Sequence, residues 1–174
     1  SPPTRAPRHR PRWCDVAEQA PELNEDFTDM LHALKRAQVD FLIVGAHALA
    51  AHGIPRATGD IDLLVRPTEG NASRVVQALT EFGAPMDAHG ISASDFSTPG
   101  NVYQIGLPPR RIDLLTEISG VSFDEAWASR LHTNIGGIDV NVLGREALIK
   151  NKRAAARDRD LVDVAALERK TGAL

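Results

Sequence analysis

Two short apolar runs carry charge where a buried strand would ordinarily have none, and this restricts the folds open to the chain. Asp60-Ile61-Asp62-Leu63-Leu64-Val65 follows Gly59, and Arg111-Ile112-Asp113-Leu114-Leu115 follows Pro108-Pro109; each reads as a strand. Residues two apart on a strand point to the same face, with Cα atoms about 6.6 Å apart. Asp60 and Asp62 therefore aim together while Ile61 points into a core. Carboxylates held among apolar neighbours are costly without a partner. If the two strands are adjacent, Asp60, Asp62 and Asp113 converge, and a shared cation accounts for both runs at once. Hard oxygen donors suit Mg²⁺ or Mn²⁺. An Asp-x-Asp on an edge strand with one wet face has the same appearance and is the competing reading.

The rest of the chain supplies a mixed set of elements. Asn24 is placed to cap a helix with Phe27, Met30, Leu31 and Leu34 on one face. A buried strand follows over 40–45, then a short helix from Ala46 to His52 ended by Gly53, with Pro55 beyond it. After the Ile61–Val65 strand, a helix over 71–82 places Val75, Val76, Leu79 and Phe82 on one side. The stretch 83–100, rich in Gly, Pro, Ser and Asp, reads as an irregular connection with one short strand or turn. Strands are expected over 102–106, 111–116 and 138–143. Ser122 and Glu125 have capping-box spacing for a helix to about Arg130, and two helices over 146–156 and 160–170 close the chain. This order implies an α+β (α/β-like) fold, a mixed β-sheet with helices packed on it and a small C-terminal helical appendix. There is no internal repeat.

Composition excludes several classes. The 174 residues, 43% of them hydrophobic, suffice for one core of ordinary size. A single cysteine, Cys14, precludes an intramolecular disulfide and a thiolate-built zinc site. No run is long and apolar enough for a membrane span and no secretory leader is evident, so a soluble, cytoplasmic protein is expected. Residues 1–22 hold five prolines among Arg5, Arg8, Arg10 and Arg12 and read as a disordered or loosely docked basic arm, with the domain proper over 23–174. Setting those arginines aside leaves 16 basic against 23 acidic residues, a net charge near -7. An acidic body argues against a protein that coats nucleic acid with a broad positive face, though not against a local basic groove.

Val44-Gly45-Ala46 ends a strand and opens a helix. Glycine there permits close approach to a ligand, and a helix N-terminus offers free N–H groups to phosphate; a tight turn with no ligand is the plainer alternative. His47 and His52 flank this turn five residues apart, off the i, i+4 spacing of helical metal pairs, and read as packed or wet helix positions. Trp127 shares a helix face with Phe123 and reads as core.

The order Gly45-Ala46, Arg56-Ala57-Thr58-Gly59-Asp60-Ile61-Asp62, Asp113, Lys152 and Arg157-Asp158-Arg159-Asp160 resembles the polymerase beta-type nucleotidyltransferase superfamily. Within it, the chain looks like the minimal prokaryotic nucleotidyltransferases related to abortive-infection and toxin-antitoxin transferases. The resemblance runs from about Phe41 to Leu167. It implies transfer of a nucleoside monophosphate from an NTP to a hydroxyl of a protein, tRNA or small molecule, with release of pyrophosphate. It also implies that Asp60, Asp62 and Asp113 hold Mg²⁺ or Mn²⁺, Asp113 also serving as base or orienting the acceptor. By the same resemblance, Gly45, Ala46, Arg56, Thr58, Lys152, Arg157 and Asp160 form the nucleotide site; Arg157, Asp160 and Asp163 rank behind the rest, with i, i+3 surface pairs as their plainer alternative. A cognate toxin or antitoxin is an implied partner, and a nucleotide- or partner-binding module with little transfer is the alternative. Where the superfamily often has serine after the turn glycine, this chain has Ala46, whose methyl cannot hydrogen-bond a phosphate.

Overall fold

The computed structural model describes residues 23–171, so the basic arm expected over 1–22 lies outside the described residues. Helix α1 (Glu25–Arg36) starts where expected, because the Asn24 side chain accepts the Phe27 N–H at 3.0 Å. Glu25 and Asp26 in its first turn and Lys35 and Arg36 in its last complement the helix dipole. Its face of Phe27, Met30, Leu31, Ala33 and Leu34 is buried.

Strand β1 (Phe41–Val44) leads directly into α2 (Gly45–Ala51), and β2 (Asp60–Val65) returns antiparallel to β1. Helix α3 (Glu69–Phe82) begins two residues earlier than its apolar pattern predicts, because Thr68 accepts the Asn71 N–H and caps it. Asn71, fully buried, ties this helix to the sheet. Its carbonyl accepts the Asp40 N–H at 2.8 Å, and its amide donates to the Asp40 and Arg66 carbonyls at 3.0 Å each. The start of β1 and the end of β2 are thereby held together.

The stretch 83–100 departs from expectation: it holds two short helices, α4 (Met86–His89) and α5 (Ala93–Ser97), and no strand. A capping box between Ser92 and Asp95 starts α5, and Phe96 is buried. The polar composition reflects caps and turns, not irregular chain. Strands β3 (Val102–Ile105) and β4 (Arg111–Leu115) pair antiparallel, with α6 (Phe123–Ala128) after them.

A strand that the sequence reading lacks, β5 (Leu131–Ile135), pairs antiparallel with β6 (Ile138–Val142) across Gly136-Gly137. Both glycines have positive φ, as a two-residue hairpin turn requires. The closing helices α7 (Arg145–Ala155) and α8 (Asp158–Thr171) pack on each other.

The six strands run β3-β4-β2-β1-β6-β5, with β2 parallel to β4 and β1 parallel to β6. The fold is thus the α+β arrangement anticipated. In its centre, strand alternation gives the two faces different roles. Ile61, Leu63, Ile112 and Leu114 point one way and are buried to 1% or less. Asp60, Asp62, Arg111 and Asp113 point the other way.

Candidate active site

The parallel register of β2 and β4 sets Asp62 opposite Asp113 and Asp60 opposite Arg111. Four charged side chains therefore share one patch of the sheet face. The local turn helps to aim them: the Thr58 hydroxyl accepts the Asp60 N–H and donates to the Asp60 carbonyl, each at 3.2 Å. Thr58, counted among the nucleotide residues, is thus occupied in shaping the entry to β2. Gly59 just before it packs on the Pro108-Pro109 turn, where a Cβ would lie 2.9 Å from the Pro108 side chain.

Arg111 is the residue that sequence reasoning passed over. Its Nη2 donates to Asp60 Oδ2 at 2.7 Å and to Asp113 Oδ2 at 3.3 Å, and its Nε lies 3.2 Å from Asp113 Oδ1. The signal was available: Arg111 is two residues from Asp113 on one strand, the spacing used to place Asp60 beside Asp62.

Even so, the patch is short of positive charge. Burial pushes the Asp62 carboxyl up to about 6, with repulsion from Asp113 and Asp60 adding to it and Arg111 opposing. Burial also raises Asp113, against the pull of Arg111. Asp60 Oδ1 and Asp113 Oδ1 are buried oxygens without a hydrogen-bond partner. Orphaned carboxylate oxygens beside an elevated carboxyl are the donor chemistry a hard divalent cation satisfies, so the residues present fit such an ion. As they stand, no three ligating side chains among the described residues are drawn together closely enough to enclose one.

A second charged cluster faces this patch from the C-terminal helices. Lys152 of α7 is buried and donates to Asp163 Oδ2 at 2.9 Å and, more distantly, to Asp160 Oδ1 at 3.5 Å. Arg56, from the loop before β2, makes a forked pair with Asp163, its Nη1 donating to Oδ2 at 2.8 Å and its Nη2 to Oδ1. Arg157 Nε donates to Asp160 Oδ2 at 2.6 Å. Asp160 and Asp163 are both 1% exposed. Their burial alone would raise them. The hydrogen bonds and charges of Arg157 on Asp160, and of Arg56 and Lys152 on Asp163, outweigh it and hold both below the ordinary range. The same pairing keeps Arg56 and Arg157 more firmly protonated than usual.

Two adjoining cavities connect the clusters. The larger, about 560 Å³, contains Asp113, Arg111 and Glu117; the smaller, about 210 Å³, contains Ala46, Arg56, Thr58, Lys152 and Asp160. Both are lined by Gly45, Asp60, Asp62, Arg157 and Arg159. Every residue expected at the site thus borders one cleft. Asp163, ranked with Arg157 and Asp160 behind the others, is the hub of the cationic cluster, and Arg159 is a cleft residue that the motif alone did not single out. His47 and His52 stay outside. His47 packs edge-on against Phe27, and His52 Nε2 lies 2.8 Å from the Leu143 carbonyl. Trp127 stacks on Phe123.

The family described as "Nucleotidyl transferase of unknown function (DUF2204)" matches residues 23–173, and the chain belongs to it. Among solved structures, the fold is similar to that of a candidate nucleotidyltransferase from Thermotoga maritima. That likeness has a TM-score of 0.52 at 13% identity, covering 95% of this chain and 97% of the other. A weaker likeness, TM-score 0.43 at 16% identity over 82% of this chain and 74% of the other, is to an antigenic nucleotidyltransferase-like protein from Paracoccidioides brasiliensis. No curated protein matches the chain in sequence. At 13% identity the Thermotoga maritima likeness speaks for the fold alone. None of the described helices is long and apolar enough to cross a membrane.

Proposed function

We propose that this chain is a metal-dependent nucleotidyltransferase that moves a nucleoside monophosphate from an NTP to a hydroxyl of a protein, RNA or small molecule. One observation carries the reading. The paired register of β2 and β4 gathers Asp60, Asp62 and Asp113 on the floor of a cleft whose opposite wall presents Lys152, Arg56 and Arg157. Carboxylates facing cations across a cleft suit a substrate that is itself polyanionic and is delivered with a divalent ion.

In this reading Asp60, Asp62 and Asp113 would hold Mg²⁺ or Mn²⁺. When bound, the ion would neutralise the phosphates and stabilise the attacking and leaving oxygens of an in-line displacement. The acceptor oxygen bonds to the α-phosphorus as the bond to the pyrophosphate oxygen breaks. The hydroxyl proton passes to a carboxylate, for which Asp113 at the acceptor side of the cleft is the candidate. Lys152, Arg56 and Arg157 supply charge for the triphosphate. Asp160 and Asp163 keep those cations in place before substrate arrives, so that little reorganisation is left for the binding step. Gly45 and Ala46 offer backbone rather than hydroxyl contacts to phosphate. A cognate toxin or antitoxin is one protein acceptor that fits the family resemblance.

Ala46 favours a second reading, a nucleotide-binding module with little transfer. Incubation with each α-labelled NTP, Mg²⁺ or Mn²⁺ and a cell lysate separates the two. Label that enters a macromolecule or small product and is lost in Asp60→Ala supports the transferase. Metal-dependent NTP binding without transfer supports the module, and absence of any metal-dependent NTP binding removes both.

A further inference from the structure

Arg111 spans the gap between the two outer carboxylates. Its Nη2 touches Asp60 and Asp113 at 2.7 and 3.3 Å, and its Nε approaches the second oxygen of Asp113 at 3.2 Å. Arg111 projects from β4 directly beside Asp60, and both side chains are only 30% and 27% exposed. No other cation of the described residues pairs with Asp60 or Asp113. The cationic cluster on the opposite wall is committed instead to Asp160 and Asp163.

A planar guanidinium that hydrogen-bonds Oδ2 of Asp60 and of Asp113, and a divalent ion drawn to the unpartnered Oδ1 atoms, compete for the charge and orientation of the same two carboxylates. We infer that Arg111 is the resident counter-cation of the carboxylate patch, which a divalent ion must displace from Asp60 before the three aspartates can close around it. This rests on the metal-dependent reading above. It makes Arg111 a positioning residue, one that sets how tightly the ion is held and keeps the patch together in its absence. Once released from Asp60, the guanidinium still lines the larger cavity, where a substrate phosphate can take the place of the carboxylate. Metal and nucleotide should therefore enter cooperatively, each being bound more weakly alone.

The test is calorimetric titration of the metal-free full chain with Mn²⁺. Wild type is compared with Arg111→Met, which keeps the length of the stem, and with Arg111→Lys, which keeps the charge but not the fork. Competition of this kind amounts to a coupling between two cations, so Arg111→Met should bind Mn²⁺ on the order of tenfold more tightly than wild type. Arg111→Lys should fall between them. Arg111→Met should also melt lower in chelator and show a larger Mn²⁺-induced rise in Tm, a pair of shifts that loss of packing alone would not produce. Affinity in both variants equal to or weaker than wild type would overturn the inference, since Arg111 would then simply brace the carboxylates. If wild type, Arg111→Met and Arg111→Lys all fail to bind Mn²⁺ while remaining folded, the metal-dependent reading itself fails. Should Arg111→Met not fold, Arg111→Lys alone decides, with a severalfold gain expected and no gain overturning.

Discussion

Gly45 lies so close to Asp62 that a Cβ built on the glycine would fall 2.2 Å from the Asp62 Oδ2. The same glycine has φ +67°, a conformation that L side chains rarely adopt. The turn from β1 into α2 thus presses bare backbone against one carboxylate of the site. Gly45→Ala is expected to cost about 1–2 kcal/mol for the backbone conformation alone, and to push Asp62 out of register with Asp113. Urea unfolding and Mn²⁺ titration should both be impaired. A variant of unchanged stability that still binds Mn²⁺ like wild type would show that the contact is not needed.

Asp163 fixes the opposite wall. It receives Arg56 from the loop before β2 and Lys152 from α7, and it is almost completely buried. Asp163→Ala leaves the buried ammonium of Lys152 with only the 3.5 Å contact to Asp160, so about 3 kcal/mol of stability should be lost. Both Asp160 and Asp163 are held below the ordinary carboxylate range, so their stabilisation is present above about pH 4 and is lost as pH falls through the depressed folded values. The variant should therefore show a flatter acid limb in a plot of stability against pH. An acid limb as steep as that of wild type would assign the acid sensitivity to other groups.

Asp62 carries the opposite sign. Its folded carboxyl is pushed up to about 6, first by burial and then by Asp113 and Asp60. The native metal-free state therefore keeps it protonated up to about pH 6, above which it ionises. The stability it contributes is complete below about pH 4, the unfolded value, and is lost as pH rises to about 6. Asp62→Asn keeps the neutral form at every pH. In chelator it should be more stable than wild type by on the order of 2 kcal/mol above pH 6, with the gain vanishing near pH 4. Its Mn²⁺ binding should be lost. Melting curves at four or five pH values with and without Mn²⁺ check both parts, and a uniform loss of stability across the range would contradict the account.

The legibility of these features in the sequence follows their range. Strands β2 and β4 were readable because charge interrupts an apolar run, and α1 because Asn24 and its apolar spacing agree. Strand β5 was not. Leu131, His132 and Asn134 are exposed on an edge of the sheet, so no burial pattern marks it, and only the Gly136-Gly137 turn betrays the hairpin. The three aspartates could be proposed as neighbours, but the pairing of Asp60 with Arg111 is a matter of register between strands 51 residues apart. The contact of Arg56 with Asp163 spans 107 residues and has no local signal at all. Short-range periodicity reports which side of an element is buried, whereas partners across a cleft are chosen by the packed sheet and helices.

Ala46 gives the remaining test of the phosphate turn. It follows Gly45 at the start of α2 and lines the smaller cavity with Arg56, Lys152 and Arg157, yet it offers that space only a methyl group. If phosphate meets this turn, a hydroxyl at the same position can add one hydrogen bond to it without altering the fold, since serine is tolerated in the first turn of a helix. One such bond is worth about 0.5–1.5 kcal/mol, roughly two- to tenfold in affinity. Ala46→Ser should therefore lower KM for the preferred NTP by that factor while kcat changes little, because the contact would be made equally before and during transfer. Steady-state kinetics, or nucleotide titration if turnover is slow, reads the outcome. A KM that is unchanged or higher in a folded Ala46→Ser variant would place the triphosphate away from this turn, leaving its binding to Lys152, Arg56, Arg157 and Arg159.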